Sequence, residues 1–376
     1  MANVSSARFA FSEEQQALRT AVRKFCAENF AEATVRQLME SDPTFDPAVW
    51  RRLGSELGVL GMSVPEADGG VGGSLVDQAV AVEEFGATLA CGPLFGTVYL
   101  AIPALVACPA GDARDELLAA LVDGERTAAF EPEPVAAAGL TLTGTAARVV
   151  DAAAADVLLI AATGSDGLGL YAVDLNGPGV HRDPLVTMDL TRPQARVTLT
   201  SAPGILLAGP AEAERVVTHA LQVGSALLAV EQVGAAQHLL DLSVEYAKSR
   251  LQFGRQIGSF QAIKHKLADM LVDLEHARSA AYHAVWALAD GSDDPALAAS
   301  IAQAVSSAAL SRIAADAIQV HGGIGFTWEH QAHLYFKRAA TDAALLGSAE
   351  QHRSRVADMV LDTAVAPNDV VPVANG

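Results

Sequence analysis

From Ser12 onward, apolar positions recur with a helical period. Leu18, Val22, Phe25 and Cys26 fall on one face behind Ser12-Glu13-Glu14-Gln15, a capping box in which the Ser12 hydroxyl accepts from the Gln15 N–H and the Gln15 side chain reaches back to Ser12. The same period returns from Pro47 to Leu57 and from Leu75 to Leu89, on either side of the glycine-rich loop Ala67-Asp68-Gly69-Gly70-Val71-Gly72-Gly73. Residues 1–122 are therefore expected to form an N-terminal all-α domain. Within it, the stretch from Cys91 to Gly111 carries no charge, but Pro93, Pro103 and Pro109 punctuate it and no cationic flank anchors it. It reads as buried helices rather than a membrane span.

The pattern changes at Thr127. Leu140 to Thr143, Val149-Val150, Val157 to Ala161, Gly169 to Leu175 and Arg196 to Leu199 are short β-rich runs between Gly, Pro and Asp turns, predicting a middle β domain, barrel or sandwich, over 123–210. Beyond it the helical period resumes. Val216, Ala220, Val223, Leu227, Val230, Gly234, Leu240 and Val244 form one stripe of a helix reaching Lys248. Two more patterns follow, from Gln261 to Ala289 and from Pro295 to Val320, the latter with Asp294 as N-cap and Pro295 in the first helical position. A last helix is expected over Ser348 to Thr363, and the tail after Pro367 reads as frayed. Long helices of this kind belong to a bundle, so 211–376 is assigned to a C-terminal four-helix bundle. The fold class is α+β and multi-domain, and no internal repeat is visible.

Composition adds limits. The 376 residues are 51% hydrophobic and only 18% charged, so burial is extensive and disorder is excluded. Acidic residues outnumber basic ones 44 to 25, for a formal charge of -19, and no local basic patch offsets this, so nucleic acid is not an expected partner. Nor is a membrane. Three cysteines without C-x-x-C spacing argue against a disulfide framework and fit a reducing compartment. The opening residues lack the charged and apolar regions of a secretory signal, so a cytoplasmic location is expected.

Two segments of the bundle carry candidate chemistry. The first runs from Tyr246 through Arg250, Gln252, Phe253 and Gly254 to Gly258, where one long helix must stop and the next begin. Arginine offers bidentate hydrogen bonds to a diphosphate, an amide can hold a further phosphate oxygen, and an aromatic ring can stack on a purine. The second is Gln319-Val320-His321-Gly322-Gly323, followed by Trp328-Glu329-His330, where the glycines end a helix and permit close backbone approach to a ligand. On spacing alone, the favoured reading of each segment is a turn or loop packed by its own aromatic residues. Neither is a P-loop or a dinucleotide fingerprint, and no hydrolase elbow or H-E-x-x-H is present. His321, His330 and His333 lack a carboxylate or thiolate at ligand spacing, so no metal is expected.

Taken together, the R-x-x-F-G and Q-x-x-G-G elements, with Leu57 to Gly70 and Val82-Glu83-Glu84-Phe85-Gly86, resemble the acyl-CoA dehydrogenase family over nearly the whole chain. The form with Trp328-Glu329-His330 is similar to its actinobacterial steroid side-chain branch. The resemblance implies a tetramer, homomeric or heteromeric, with FAD across a subunit interface, an acyl-CoA substrate dehydrogenated to a 2-enoyl-CoA, and an acceptor such as an electron-transfer flavoprotein. It also implies that Arg250, Gln252, Phe253, Gln319, Gly322 and Gly323 hold the ADP half of FAD. Ser348 either touches FAD as the family's matching hydroxyl does or caps a helix.

The resemblance departs at the catalytic base. Leu346 stands where most members carry Glu, Gly224 stands at the minority position on the first long bundle helix, and the β region has no G-S-D element or Trp to hold the flavin ring. Glu231 and Glu350 are the nearby carboxylates. The catalytic residue is therefore unassigned, and the expected role is that of the subunit without a base in a heterotetramer with a base-bearing paralogue. A self-sufficient dehydrogenase with an atypical base, an inactive FAD- or acyl-CoA-binding scaffold, and a flavin oxidase on the same fold are the alternatives.

Overall fold

The structure, a computed structural model, describes residues 11–361. The tail after Pro367 and the last two positions of the expected final helix lie outside them. The N-terminal region is helical: α1 (Glu13–Asn29), α2 (Glu32–Leu38), α3 (Pro47–Ser55), α4 (Leu75–Thr88), a π-helical segment Leu94–Ala101 running into α5 (Ile102–Ala107), and α6 (Asp112–Val122). The Ser12–Gln15 capping box starts α1 as its sequence dictates, and a second box, Ser74–Asp77, starts α4. The uncharged stretch around Leu94 is buried, as its composition required.

Seven strands follow: β1 (Ala128–Ala138), β2 (Thr141–Val150), β3 (Val157–Gly164), β4 (Gly167–Asp174), β5 (Val180–Pro184), β6 (Gln194–Pro203) and β7 (Ile205–Ala208). They make one mixed sheet in the order β5-β6-β2-β1-β3-β4-β7, with β1 and β3 parallel. Register shifts at Glu131/Val135 in β1 and at two places in β2 bend the sheet. It curls around its own core, in which Leu142, Val197 and Leu199 meet Leu158, Ile160 and Val173. β1, β5 and β7 were not legible as strands. Pro132 and Pro134 interrupt the β signal of β1, and β5 and β7 are short strands at the sheet's two ends.

The bundle consists of α7 (Ala213–Ser249), α8 (Gln261–Asp290) and α9 (Pro295–His321), completed by α10 (Ala332–Asp342), which the sequence pattern did not show, and α11 (Ala349–Leu361). A two-residue-per-strand hairpin, β8 (Leu251–Gln252) and β9 (Arg255–Gln256), joins α7 to α8. α7 and the α9 stretch to Phe326 are long and apolar enough to cross a membrane, but 78% and 61% of their apolar windows are buried inside the chain. Their apolarity serves the core.

A single core cluster runs from the N-terminal helices into the bundle, because α4 lies across α7 in backbone contact. A Cβ on Gly86 would overlap the Glu231 carbonyl oxygen, and one on Gly234 would overlap that of Glu83. Small residues are what let two helix backbones approach so closely. The crossing is also clamped: Glu83 accepts from Arg19 at 2.9 Å, from the Tyr282 hydroxyl at 2.6 Å and from Arg278, while Glu84 accepts two bonds from Arg23 at 2.9 Å.

Candidate functional site

Six of the seven sequence-predicted cofactor residues meet at one end of the bundle. Arg250 is the C-cap of α7, with extended backbone, and is exposed. Gln252 lies on β8, and Phe253 at the hairpin tip is 89% exposed with a left-handed φ of 53°, next to Gly254 at 76°. The hairpin is braced from below, since the Arg255 guanidinium sits 3.9 Å from the centroid of the Phe260 ring, whose edge faces Phe253 at 6.1 Å. α9 ends beside it. Tyr246 of α7 and His321 of α9 pack with centroids 4.5 Å apart, which brings Gln319, Gly322 and Gly323 alongside the hairpin.

That end fits an adenosine diphosphate. Gln319, Gly322 and Gly323 are exposed, and a Cβ at either glycine would meet nothing within 4 Å, so the backbone there is open to a ligand. Gly322 needs its φ of 63°, which a residue with a side chain rarely adopts. A guanidinium, an amide, an aromatic ring and an open glycine backbone on one exposed rim are the groups that diphosphate and purine recognition require. The nearby histidines play a different part. The His321 Nδ1–H donates to Ala317 O at 2.7 Å, and burial lowers the pKa of His321, His330 and His333, the last to about 4. Among the described residues, no group of three or more His, Cys, Asp or Glu could hold a metal.

Ser348 lies elsewhere. Its hydroxyl accepts from the Gln351 N–H at 3.3 Å and its N–H donates to Gln351 Oε1 at 2.8 Å, a capping box for α11. The preceding loop touches α9 at Gln303, 16 residues before Gln319, or roughly 24 Å along the helix. The structure thus divides the predicted residues into two places.

The two positions at which the resemblance places a base carry no carboxylate. Leu346 carries a φ of 57°, and its side chain packs against the core. Gly224 faces Leu100, whose side chain occupies the space a Cβ would need. Glu350 is exposed at the start of α11, where backbone hydrogen bonding and the Ser348 hydroxyl lower its pKa. A base for a weak C–H acid needs the opposite shift.

Glu231 is fully buried but fully engaged. Its Oε2 accepts from the Tyr99 hydroxyl at 2.7 Å, and its Oε1 accepts from Arg192 at 2.5 Å and from Arg338 at 2.7 Å. Burial alone would raise its pKa, but the two guanidiniums outweigh burial and hold it below the ordinary carboxylate range. Arg338 in turn donates to Asp189 at 2.7 Å and to the Thr191 hydroxyl at 2.7 Å, and Arg192 faces Asp342 at 3.2 Å with the Phe95 ring 5.2 Å beneath it. Every charged member is at most 5% exposed. Sequence reasoning missed all of them except Glu231. The signal was there in kind: a lone acid between Val230 and Val233 on an apolar stripe must find a buried cation.

A helical N-terminal region, a curled mixed sheet and a helical bundle whose rim suits a dinucleotide define a flavoprotein architecture. Two family models match, "Acyl-CoA dehydrogenase, N-terminal domain" over residues 12–125 and "Acyl-CoA dehydrogenase, C-terminal domain" over 214–361. The chain belongs to the acyl-CoA dehydrogenase family, oxidoreductases that act on acyl-CoA with FAD as cofactor. Acyl-CoA dehydrogenase IpdE2 of Mycobacterium tuberculosis is 38% identical over 357 residues, covering 93% of this chain and 98% of the relative. Among solved structures, the Tcur3481-Tcur3483 steroid ACAD superposes with a TM-score of 0.85 at 31% identity, covering 94% of this chain and 99% of that one. The ChsE4-ChsE5 complex of Mycobacterium tuberculosis gives 0.86 at 28%, covering 96% and 99%.

Proposed function

We propose that this chain is the subunit without a catalytic base in a heterotetrameric FAD-dependent acyl-CoA dehydrogenase. It contributes its ADP rim to a flavin whose ring, base and acyl pocket belong to a base-bearing paralogue. The observation that carries this reading is the contrast between the two ends of one site. The rim from Arg250 to Gly323 is open and exposed, while the two positions at which the family's base would stand hold Leu346 and Gly224, and the ion-paired Glu231 is held below the ordinary carboxylate range. Two of the similar solved structures, ChsE4-ChsE5 and Tcur3481-Tcur3483, are themselves named as pairs of chains.

FAD, when bound, supplies the hydride acceptor for oxidation of a saturated acyl-CoA to its 2-enoyl product. This chain's residues bind and orient. Arg250 neutralises and aligns the diphosphate, Gln252 and Gln319 hold phosphate or sugar oxygens, Phe253 stacks on the adenine, and Gly322 and Gly323 let the backbone close on the dinucleotide. The substrate class within this reading is a steroid side-chain acyl-CoA, and the electrons leave through an electron-transfer flavoprotein. A cytoplasmic setting belongs to it as well, since Cys26, Cys91 and Cys108 are buried and unpaired.

Co-expression with the neighbouring paralogue tests the reading. The expected product is a tetramer with two FAD per four chains that dehydrogenates an acyl-CoA, while the chain alone retains little flavin. A yellow homomer with one FAD per chain and turnover would refute it. A well-formed heteromer with no turnover on any acyl-CoA would favour an inactive scaffold.

A further inference from the structure

The buried charges around Glu231 come from four separate stretches of chain. Tyr99 belongs to the π-helical segment, Asp189 and Arg192 to the loop between β5 and β6, Glu231 to α7, and Arg338 and Asp342 to α10. Gly224 and Leu346, the two positions at which the family's base would stand, flank this cluster. Gly224 is two turns before Glu231 on α7, and Leu346 is four residues after Asp342. Between them the interior is filled. Tyr99 and Leu100 press on Gly224, α4 and α7 touch backbone to backbone at Gly86 and Gly234, and the two arginines bridge Glu231 of α7 to the loop between β5 and β6.

Charge makes this filling permanent. Asp189, Glu231 and Asp342 oppose Arg192 and Arg338 in direct ion pairs, and burial raises the pKa of Asp342, only partly offset by Arg192. Admitting an acyl chain would strip at least one ion of its partner, and a buried ion left alone is strongly destabilising. Arg192 Nη1 and Asp342 Oδ1 face each other at 3.2 Å without an aligned hydrogen bond, and an aliphatic chain placed beside them would satisfy neither.

We propose that the Tyr99–Arg192–Glu231–Arg338–Asp189–Asp342 cluster is a built-in plug that occupies this chain's own acyl and flavin-ring interior. The subunit takes no acyl thioester, and its sheet, α7 and α10 are held together by charge instead of by ligand. This rests on the half-site reading above and extends it, because a subunit could lack a base and still bind substrate.

The test titrates the full-length chain with octanoyl-CoA by calorimetry, and in parallel counts FAD and octanoyl-CoA bound per heterotetramer. The plug predicts no saturable binding to the chain alone and two octanoyl-CoA per four chains in the complex. One octanoyl-CoA per isolated chain, or four per tetramer, overturns it. The FAD count is independent: four FAD per tetramer would refute the half-site reading whatever the octanoyl-CoA result. A triple variant of similar size, Asp189→Asn, Glu231→Gln and Arg338→Met, removes three of the buried charges and leaves Arg192 facing Asp342. Backbone amide exchange within 189–192 and 335–342 is expected to accelerate at least tenfold in it. Unchanged exchange in a folded variant would show that charge does not hold these elements. If the variant fails to fold, the wild-type titration alone still decides the plug.

Discussion

Arg250 shows how much a single side chain can reveal when it has nothing else to do. It is exposed at a helix end and takes part in no buried packing, so Arg250→Ala should leave the melting temperature of the chain unchanged. In the assembled enzyme, loss of a charge-assisted bond to diphosphate is worth about 1.5 to 3 kcal/mol, at least about tenfold in the FAD dissociation constant, measurable by flavin release on dilution. Asp151 illustrates the opposite case. It is buried, burial raises its pKa to about 6 against the opposing Gly96 N–H, and its φ of 65° is one that asparagine tolerates. A carboxyl raised in this way binds its proton more tightly folded than unfolded. Its stabilising share is therefore complete below about pH 4 and lost as pH rises through 6. Asp151→Asn keeps the acceptor for Gly96 without the charge. The variant should melt higher than the parent at pH 7.5 and level with it near pH 4, and a pair of melting curves against pH settles the sign.

At the scale of elements, the crossing of α4 and α7 is the most exacting contact in the molecule. Gly234→Ala drives a methyl into the Glu83 carbonyl, and neither backbone can yield without moving the Glu83 clamp and Glu231 together. The expected cost is about 1 to 3 kcal/mol or more of stability, seen as a large fall in melting temperature. Gly323→Ala, with open space around its Cβ, should cost far less. What could be read from sequence follows the same logic of locality. The helices announced by Ser12 with Gln15, and by Asp294 with Pro295, were legible because caps act within one turn. β1 was hidden by its two prolines, and α10 by having only eleven residues with Lys337, Arg338 and Asp342 among its apolar positions. The R-x-x-F-G and Q-x-x-G-G residues were visible as motifs, but that they meet depends on Tyr246 packing on His321, a contact between residues 75 positions apart in a chain numbered 246 and 321. The Glu231 cluster was out of reach for the same reason, since its partners lie 39 to 132 residues away along the chain.

The whole molecule gives each defect its proper weight. Leu346→Glu restores a carboxylate at the family's position, but the interior in front of it is closed and the positive φ at 346 is one that Glu also resists. The variant should fold, and the homomer should still show no measurable acyl-CoA oxidation in a dye-reduction assay; robust turnover would mean that the interior opens more readily than its packing indicates. The charges that close it also bear on ancestry. A lineage that once carried a complete site could lose its base by one substitution at little cost. Regaining the site would require dismantling two arginines, their carboxylates and a glycine crossing at once, because each intermediate strands an ion in the core and is less stable than either end. If the chain works with a base-bearing partner as proposed, that division of labour is a ratchet: once the interior has been filled with paired charge, dependence on the partner becomes hereditary.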